Sequence, residues 1–212
     1  YIGGGADAEG MAAYFHQAGA DLVVVGPEAP LMSGVVDRLR SLGIPAVGPT
    51  RSQARLEGSK AFMRDLLQRR VPGASPEWQV LTDPAAAETF LLRVGQAAIK
   101  PIGLTGGKGV KVMGVHLEGI PAALEEVKME LARSGEVLLE ERLIGQEFSR
   151  IAFVSNGRAF GMPVAQDFKY AYDGDTGGMT GGMGAYTCAD GSLPFLRSSD
   201  LEAADRILNQ VV

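Results

Sequence analysis

The 212-residue sequence holds a single cysteine, Cys188, and only two histidines, His16 and His116, far apart along the chain. One cysteine closes no internal disulfide, and so few thiol and imidazole groups argue against a zinc site; both scarcities fit a reducing cytosol. Aromatic residues are sparse at 7%. No apolar run approaches the ~20 residues that a membrane-spanning helix needs, and no charged-then-apolar leader opens the chain. A basic excess is missing too: the formal charge is −5, whereas a nucleic-acid binder carries a positive face. Neither a membrane nor a nucleic acid is an expected partner. Wholesale disorder is excluded as well, because 46% hydrophobic and 21% charged residues describe an ordinary globular chain. A chain of this length buries a sizeable core without covalent staples.

What the sequence has in excess is glycine, 29 of 212 residues, about twice the usual ~7%. The glycines cluster, which suggests backbone turned toward a ligand rather than a loose chain. The intervening pattern predicts an α/β organisation. An amphipathic helix over 7–19 precedes the apolar run Asp21 to Val25, expected as a buried strand of a parallel sheet covered on both faces. A helix over 31–42 closed by Gly43 and a strand from Ile44 to Val47 continue the layer. A single helix is expected over 51–70, with Phe62, Met63, Leu66 and Leu67 on one face, broken at Val71-Pro72-Gly73. A small βαβ-rich unit follows: a strand from Trp78 to Leu81, a helix capped by Asp83 with Pro84 in its first turn, strands from Ala98 to Lys100 and Val110 to Val115 around a glycine loop, a helix over 119–133, and a strand from Val137 to Glu141. Ser155-Asn156-Gly157 marks a hairpin between 149–154 and 159–165. A glycine-dense segment from Gly174 to Gly184 and a helix starting near Ser199-Asp200 complete the chain.

Four segments carry chemistry. In A-A-I-K-P-I-G-L-T-G-G-K-G-V, Lys100 ends one strand, and Gly103, Gly106, Gly107 and Gly109 lead into the next with Lys108 at the tip. Such glycines let backbone N–H groups approach an anion, and the lysines add mobile charge. The segment is not a P-loop: three residues separate Gly103 from Gly107-Lys108 where four are needed, Gly109 stands where Ser or Thr should be, and a strand follows instead of a helix. A hairpin with solvated lysines is the plainer alternative. In V-L-L-E-E-R-L-I-G-Q-E, a strand delivers Glu140 and Glu141 into a connection. The backbone from Glu141 to Leu143 can offer an adenine one acceptor and one donor, and Glu147 is placed for ribose hydroxyls; a surface acidic pair at a strand end is the alternative. From Gln166 to Tyr186, Asp167, Lys169, Asp173 and Asp175 lead into the third glycine cluster, either a disordered surface loop or a backbone cradle for a polar ligand. Gly26-Pro27-Glu28 lies past the carboxyl end of a parallel strand, where open α/β sheets bind ligands, or else forms a plain turn before a helix. Gly58-Ser59-Lys60, at a helix start, says little alone.

These pieces occur together and in order in one family. The sequence resembles the phosphoribosylamine–glycine ligase (glycinamide ribonucleotide synthetase) family of ATP-grasp enzymes. The resemblance is carried by D-L-V-V-V-G-P-E-A-P-L at 21–31, L-E-G-S-K-A-F at 56–62, G-L-T-G-G-K-G-V at 103–110, L-E-E-R-L-I-G-Q-E at 139–147, D-G-D-T at 173–176 and T-G-G-M-G-A-Y at 180–186. It implies a partial ATP-grasp fold. Residues 1–50 would be the remainder of an N-terminal α/β domain on the substrate side, 51–72 a linking helix, 73–144 the lid that clamps ATP, and 145–212 the start of the central catalytic domain. It implies ATP-dependent ligation of glycine to 5-phosphoribosylamine through a glycyl phosphate, in the cytoplasm, as a step of purine biosynthesis. The implied ATP-binding residues are Lys60, Lys100, Gly106, Gly107, Lys108, Gly109, Glu140, Glu141, Leu143 and Glu147. The implied substrate-binding residues are Gly26, Pro27, Glu28, Asp167, Lys169, Asp175, Thr176, Gly181, Gly182 and Met183. Phe168 stands where the family has His, and Gly178-Met179 where it has Pro-Asn.

The same resemblance implies Mg2+ (or Mn2+), with its ligands expected beyond residue 212 and none in this chain. The start in Y-I-G-G-G-A-D and the end inside a helical pattern lead to the expectation of a piece of a longer enzyme, inactive by itself. Two competing readings are another ATP-grasp ligase acting on a different carboxylate and a non-catalytic nucleotide-binding module. The former should lack both G-P-E-A-P-L and T-G-G-M-G-A-Y.

Overall fold

A computed structural model describes residues 4–102 and 109–212, and the chain divides into two compact units, Tyr1–Met63 and Arg64–Val212. In the first unit, α1 (Ala8–Gln17) begins at Asp7, whose carboxylate accepts from the Gly10 N–H at 2.9 Å. β1 (Val23–Val24), α2 (Glu28–Ser33), α3 (Val35–Ser41), β2 (Ala46–Val47) and α4 (Arg51–Gly58) follow. β1 and β2 pair in parallel, Val23 opposite Ala46. Ala12, Val23, Val35, Val36, Leu39 and Ile44 form the core of this unit.

Three expectations are corrected here. β1 is covered on one face only: Val23 is buried, whereas Leu22 and Val24 are exposed. The two-residue period of a strand sends Leu22 and Val24 away from the core that buries Val23. The helix expected over 31–42 is two helices, because Gly34 adopts a left-handed conformation (φ +91°) that ends α2 and turns the chain into α3. The helix expected over 51–70 is also two. Ser59 is extended (φ −139°, ψ +103°), and its hydroxyl accepts from the Phe62 N–H at 3.2 Å, ending α4 and opening α5 (Lys60–Arg70). Phe62, Met63, Leu66 and Leu67 keep the shared half-buried face expected of them. α5 ends at Arg70, as the break expected at Val71-Pro72-Gly73 requires, and the two units divide inside it, between Met63 and Arg64.

The second unit contains β3 (Trp78–Leu81), α6 (Pro84–Val94), β4 (Ala97–Lys100), β5 (Lys111–Val112), α7 (Gly119–Ser134) and β6 (Val137–Glu141). The sheet runs β3-β6-β4-β5 and every neighbouring pair is antiparallel. The βαβ expectation is therefore revised. β3 and β4 do run the same way with α6 between them in sequence, but β6 lies between them in the sheet. β5 and β6 are likewise parallel, joined through α7 and separated by β4. The order β-α-β-β-α-β is that of split βαβ units. One sheet face, with Leu81, Ala97, Ile99, Val137 and Leu139, packs on Ala87, Phe90 and Leu91 of α6 and on Ala123 and Val127 of α7. Leu138 and Glu140, pointing to the other face, are buried as well.

The cap expected at α6 is present: the Asp83 carboxylate accepts from the Ala85 and Ala86 N–H groups at 3.3 and 3.1 Å, with Pro84 behind them. Asp83→Ala is expected to cost about 1 kcal/mol in urea denaturation.

Beyond β6 the chain forms β7 (Ala152–Ser155), β8 (Arg158–Gly161), β9 (Gln166–Asp167), β10 (Tyr170–Tyr172), β11 (Thr176–Met179), β12 (Ala185–Tyr186) and α8 (Ser198–Val211). β7 and β8 join across Asn156 (φ +49°) and Gly157 (φ +69°), the backbone pair of a two-residue type I′ turn. The glycine-dense segment is ordered rather than a disordered surface loop. β10 and β11 form an inner hairpin inside the pair β9–β12. Few side chains are needed there, because ladder hydrogen bonds hold the backbone. Arg150 grips Asp205 of α8 through two hydrogen bonds, at 2.8 and 2.9 Å.

Candidate functional site

The charged centre of the second unit is built on the sheet face turned away from α6 and α7. Ala98 lies opposite Glu140 and Lys100 opposite Leu138, so Lys100 and Glu140 are diagonal neighbours on one face. Glu140 is buried, and two cations share its carboxylate. Arg64 of α5 donates from Nε to Oε1 at 2.7 Å and from Nη2 to Oε2 at 2.8 Å. Lys100 Nζ donates to the same Oε2. Burial alone would push the Glu140 carboxyl upward. The Arg64 hydrogen bonds and the Lys100 charge outweigh it and hold the group below its ordinary value. One carboxylate against two cations leaves this cluster with one net positive charge, at the end of β4.

The connection after β6 is tied to the sheet. The Glu141 N–H donates to the Glu77 carbonyl at 2.8 Å and the Arg142 N–H to the Gln96 carbonyl at 3.0 Å. Arg142 Nη1 reaches both Gln96 Oε1 at 2.9 Å and the Met113 carbonyl at 2.7 Å. Both N–H groups are spent on the protein, and the next residue, Leu143, is exposed.

A second cluster brings together residues from both sets expected from the sequence. Lys169 Nζ donates to Glu147 at 3.0 Å and stands 3.8 Å from Asp167. The Glu147 hydrogen bond, aided by the charges of Glu147 and Asp167, raises Lys169 above its ordinary value despite partial burial. Next to it, Phe168 stacks on Tyr186 with ring centroids 5.9 Å apart. The Met183 N–H donates to the Phe168 carbonyl at 2.7 Å, and the Gly182 N–H to the Thr180 hydroxyl at 3.0 Å. Gly181 and Gly182 thus sit in the return from β11 to β12. Asp175 and Thr176 lie at the tip of the β10–β11 hairpin, with the Thr176 hydroxyl donating to the Asp173 carbonyl.

Gly26 and Pro27 occupy the turn from β1 into α2, past the carboxyl end of β1, Glu28 is the first residue of α2, and Lys60 is the first residue of α5. Gly109 adopts left-handed backbone beside Pro101. Gly106, Gly107 and Lys108 lie outside the described residues. Among the described residues, no three His, Cys, Asp or Glu side chains stand together as a metal site, and no helix is long and apolar enough to cross a membrane. Arg64 and Arg142 escaped the sequence reading. Arg64 is one charge among several on α5, and no spacing distinguishes it from the solvated ones; Arg142 could have been suspected only from its place directly after Glu140-Glu141.

Comparison with known proteins supplies the family. The family model for the phosphoribosylglycinamide synthetase N domain matches residues 4–57, and that for the phosphoribosylglycinamide synthetase ATP-grasp (A) domain matches residues 58–212. The phosphoribosylamine–glycine ligase of Methanothermobacter thermautotrophicus is 44% identical over 92% of this chain and 46% of its own length. That of Pyrococcus furiosus is 42% identical over 97% of this chain and 47% of its own. The chain thus spans about half the length of these relatives. Among solved structures, phosphoribosylamine–glycine ligase from Thermotoga maritima superposes with a TM-score of 0.68 at 26% identity, covering 89% of this chain and 45% of that one. The D-alanine–D-alanine ligase of Bacillus anthracis complexed with ATP gives a TM-score of 0.65 at 18% identity, over 96% of this chain and 62% of that one, a likeness of fold alone.

Proposed function

The chain belongs to the phosphoribosylglycinamide synthetase family and has an ATP-grasp fold, and from this premise we propose that it forms part of an ATP-dependent ligase joining glycine to 5-phosphoribosylamine in the cytoplasm. The observation that carries this reading is the order of the two family domains, N domain then ATP-grasp domain, which follow one another across 4–212 without a gap. In the reaction, the glycine carboxylate takes the γ-phosphoryl group of ATP, giving glycyl phosphate and ADP. The amine of phosphoribosylamine then attacks the acyl carbon, and inorganic phosphate leaves.

Lys100 and Lys60, with Lys108, offset phosphate charge as it moves. Gly106, Gly107 and Gly109 give backbone N–H groups to the same oxygens. Adenine lies against the connection after β6. With the Glu141 and Arg142 N–H groups engaged by the sheet, the Leu143 N–H is its donor, and Glu147 takes the ribose hydroxyls. The residues for glycine and phosphoribosylamine are Gly26, Pro27 and Glu28 of the first unit and Asp167, Lys169, Asp175, Thr176, Gly181, Gly182 and Met183 of the second. Exclusion of water preserves the acyl phosphate. ATP-grasp ligation also uses a divalent cation; among the described residues no three His, Cys, Asp or Glu side chains stand together to hold one.

The test is phosphate release by the complete ligase that contains these residues, supplied with ATP, magnesium, glycine and 5-phosphoribosylamine. Release is expected to require both glycine and the amine. Release that proceeds with another amino acid and without phosphoribosylamine would instead favour a different ATP-grasp ligase.

A further inference from the structure

The chemistry proposed above asks Lys100 to meet a polyanion, yet its ammonium already rests on a carboxylate. Taken as a pair, Lys100 and Glu140 are neutral and offer a phosphate little. Arg64 changes that count. Its guanidinium spans both Glu140 oxygens, while Lys100 touches only Oε2. A planar two-pronged guanidinium contact is the stronger and better oriented of the two, so Glu140 is neutralised chiefly by Arg64. The three side chains are 15%, 4% and 22% exposed for Arg64, Glu140 and Lys100, so water screens them little and the charge count matters. Lys100 is also the most exposed of the three, and an ammonium has three N–H groups, of which Glu140 takes one.

We propose that Arg64 is a positioning residue for ATP binding: by claiming Glu140, it leaves the Lys100 ammonium anchored in place but not neutralised, and so free to take a phosphate oxygen. This rests on the reading of Lys100 as a phosphate ligand. A role confined to fastening α5 to the sheet would need the Arg64 hydrogen bonds, including that to the Ser75 hydroxyl at 3.4 Å, but not its charge.

The experiment is calorimetry of ATP binding to the full chain, with magnesium, for Arg64→Gln, Arg64→Lys, the double variant Arg64→Gln/Glu140→Gln, and Lys100→Met. Arg64→Gln keeps a hydrogen bond and removes the charge; it is expected to weaken ATP binding about tenfold, the size of one charge-assisted contact. Arg64→Lys restores the charge without the two-pronged contact and should bind ATP more tightly than Arg64→Gln but less tightly than the wild type. The double variant returns the cluster to one net positive charge and should recover to within about threefold as well. That last measurement remains decisive if Arg64→Gln fails to fold, since a fastening role makes the double variant bind ATP far more weakly than wild type. Wild-type affinity in Arg64→Gln, or no recovery in the double variant, overturns the proposal while Lys100→Met still binds weakly. Wild-type affinity in Lys100→Met overturns the phosphate reading of Lys100 as well.

Discussion

Glu140→Ala is expected to destabilise the second unit by about 3–5 kcal/mol, lowering its melting temperature by on the order of 10 °C. The side chain lost is small, but the charges it leaves are not. Arg64 and Lys100 are held at 15% and 22% exposure against a single carboxylate, and without it two like charges face each other with little water to separate them. Removing one partner of a buried ionic group costs more than the group as a whole contributes. For that reason the double variant Arg64→Gln/Glu140→Gln should lose much less stability than Glu140→Ala. The pH dependence has a definite sign. In the folded protein Glu140 is held below its ordinary value of 4.5, because the Arg64 and Lys100 contacts overcome the opposing effect of burial. Its contribution is therefore fully present above pH 4.5 and is lost as the pH falls through the depressed value, where the carboxylate takes up a proton. Asp205, held down chiefly by its hydrogen bonds from Arg150, titrates in the same direction. The difference between wild type and Glu140→Gln isolates the Glu140 part. It should be largest near neutral pH and shrink on acidification, measured by urea unfolding at stepped pH. A difference that is flat from pH 7 to pH 3 would show that the carboxylate charge does not stabilise the fold.

The contrast between what the sequence disclosed and what it concealed follows from the range of the interactions. β3, β6, the α6 cap and the β7–β8 turn were all legible, because each is set by residues within a few positions: short apolar runs, Asp83 before Pro84, Asn156 before Gly157. The breaks at Gly34 and Ser59 were missed because apolar periodicity runs straight through them. Only the left-handed backbone of one and the serine cap of the other betray two helices. Antiparallel pairing of β6 with β3 and β4 could not be read from the pattern, since strands buried on both faces look alike in parallel and antiparallel sheets. The candidate site divides in the same way. Lys100 and Glu140 were each visible as strand-end residues, and Glu147, Asp167 and Lys169 as polar residues in suspect segments. That Lys100 meets Glu140, 40 positions away, and that Lys169 meets Glu147, 22 positions away, depends on sheet register and hairpin nesting. Arg64, 76 positions from Glu140, left no local trace at all.

Lys100→Met is expected to weaken ATP binding by roughly 1.5–3 kcal/mol, about ten- to a hundredfold, with a much smaller effect on stability. The two effects separate because of how the cluster is shared. With Lys100 gone, Glu140 keeps both hydrogen bonds from Arg64, so its carboxylate stays paired in one-to-one balance and no charge is stranded. Methionine preserves most of the apolar stem of the lysine, so the packing beside Leu138 changes little. What disappears is the ammonium at the end of β4 and, with it, the net positive charge of the cluster. A triphosphate is then met by a neutral Arg64–Glu140 pair, and the charge-assisted contact is lost outright. The measurements are calorimetric ATP affinity and urea unfolding on the same variant. A large affinity loss with near wild-type unfolding supports a phosphate role for Lys100. If both fall together, Lys100 is holding the sheet rather than the nucleotide. If affinity is unchanged, the phosphates lie elsewhere, and the net charge of the Arg64–Glu140–Lys100 cluster serves the fold alone.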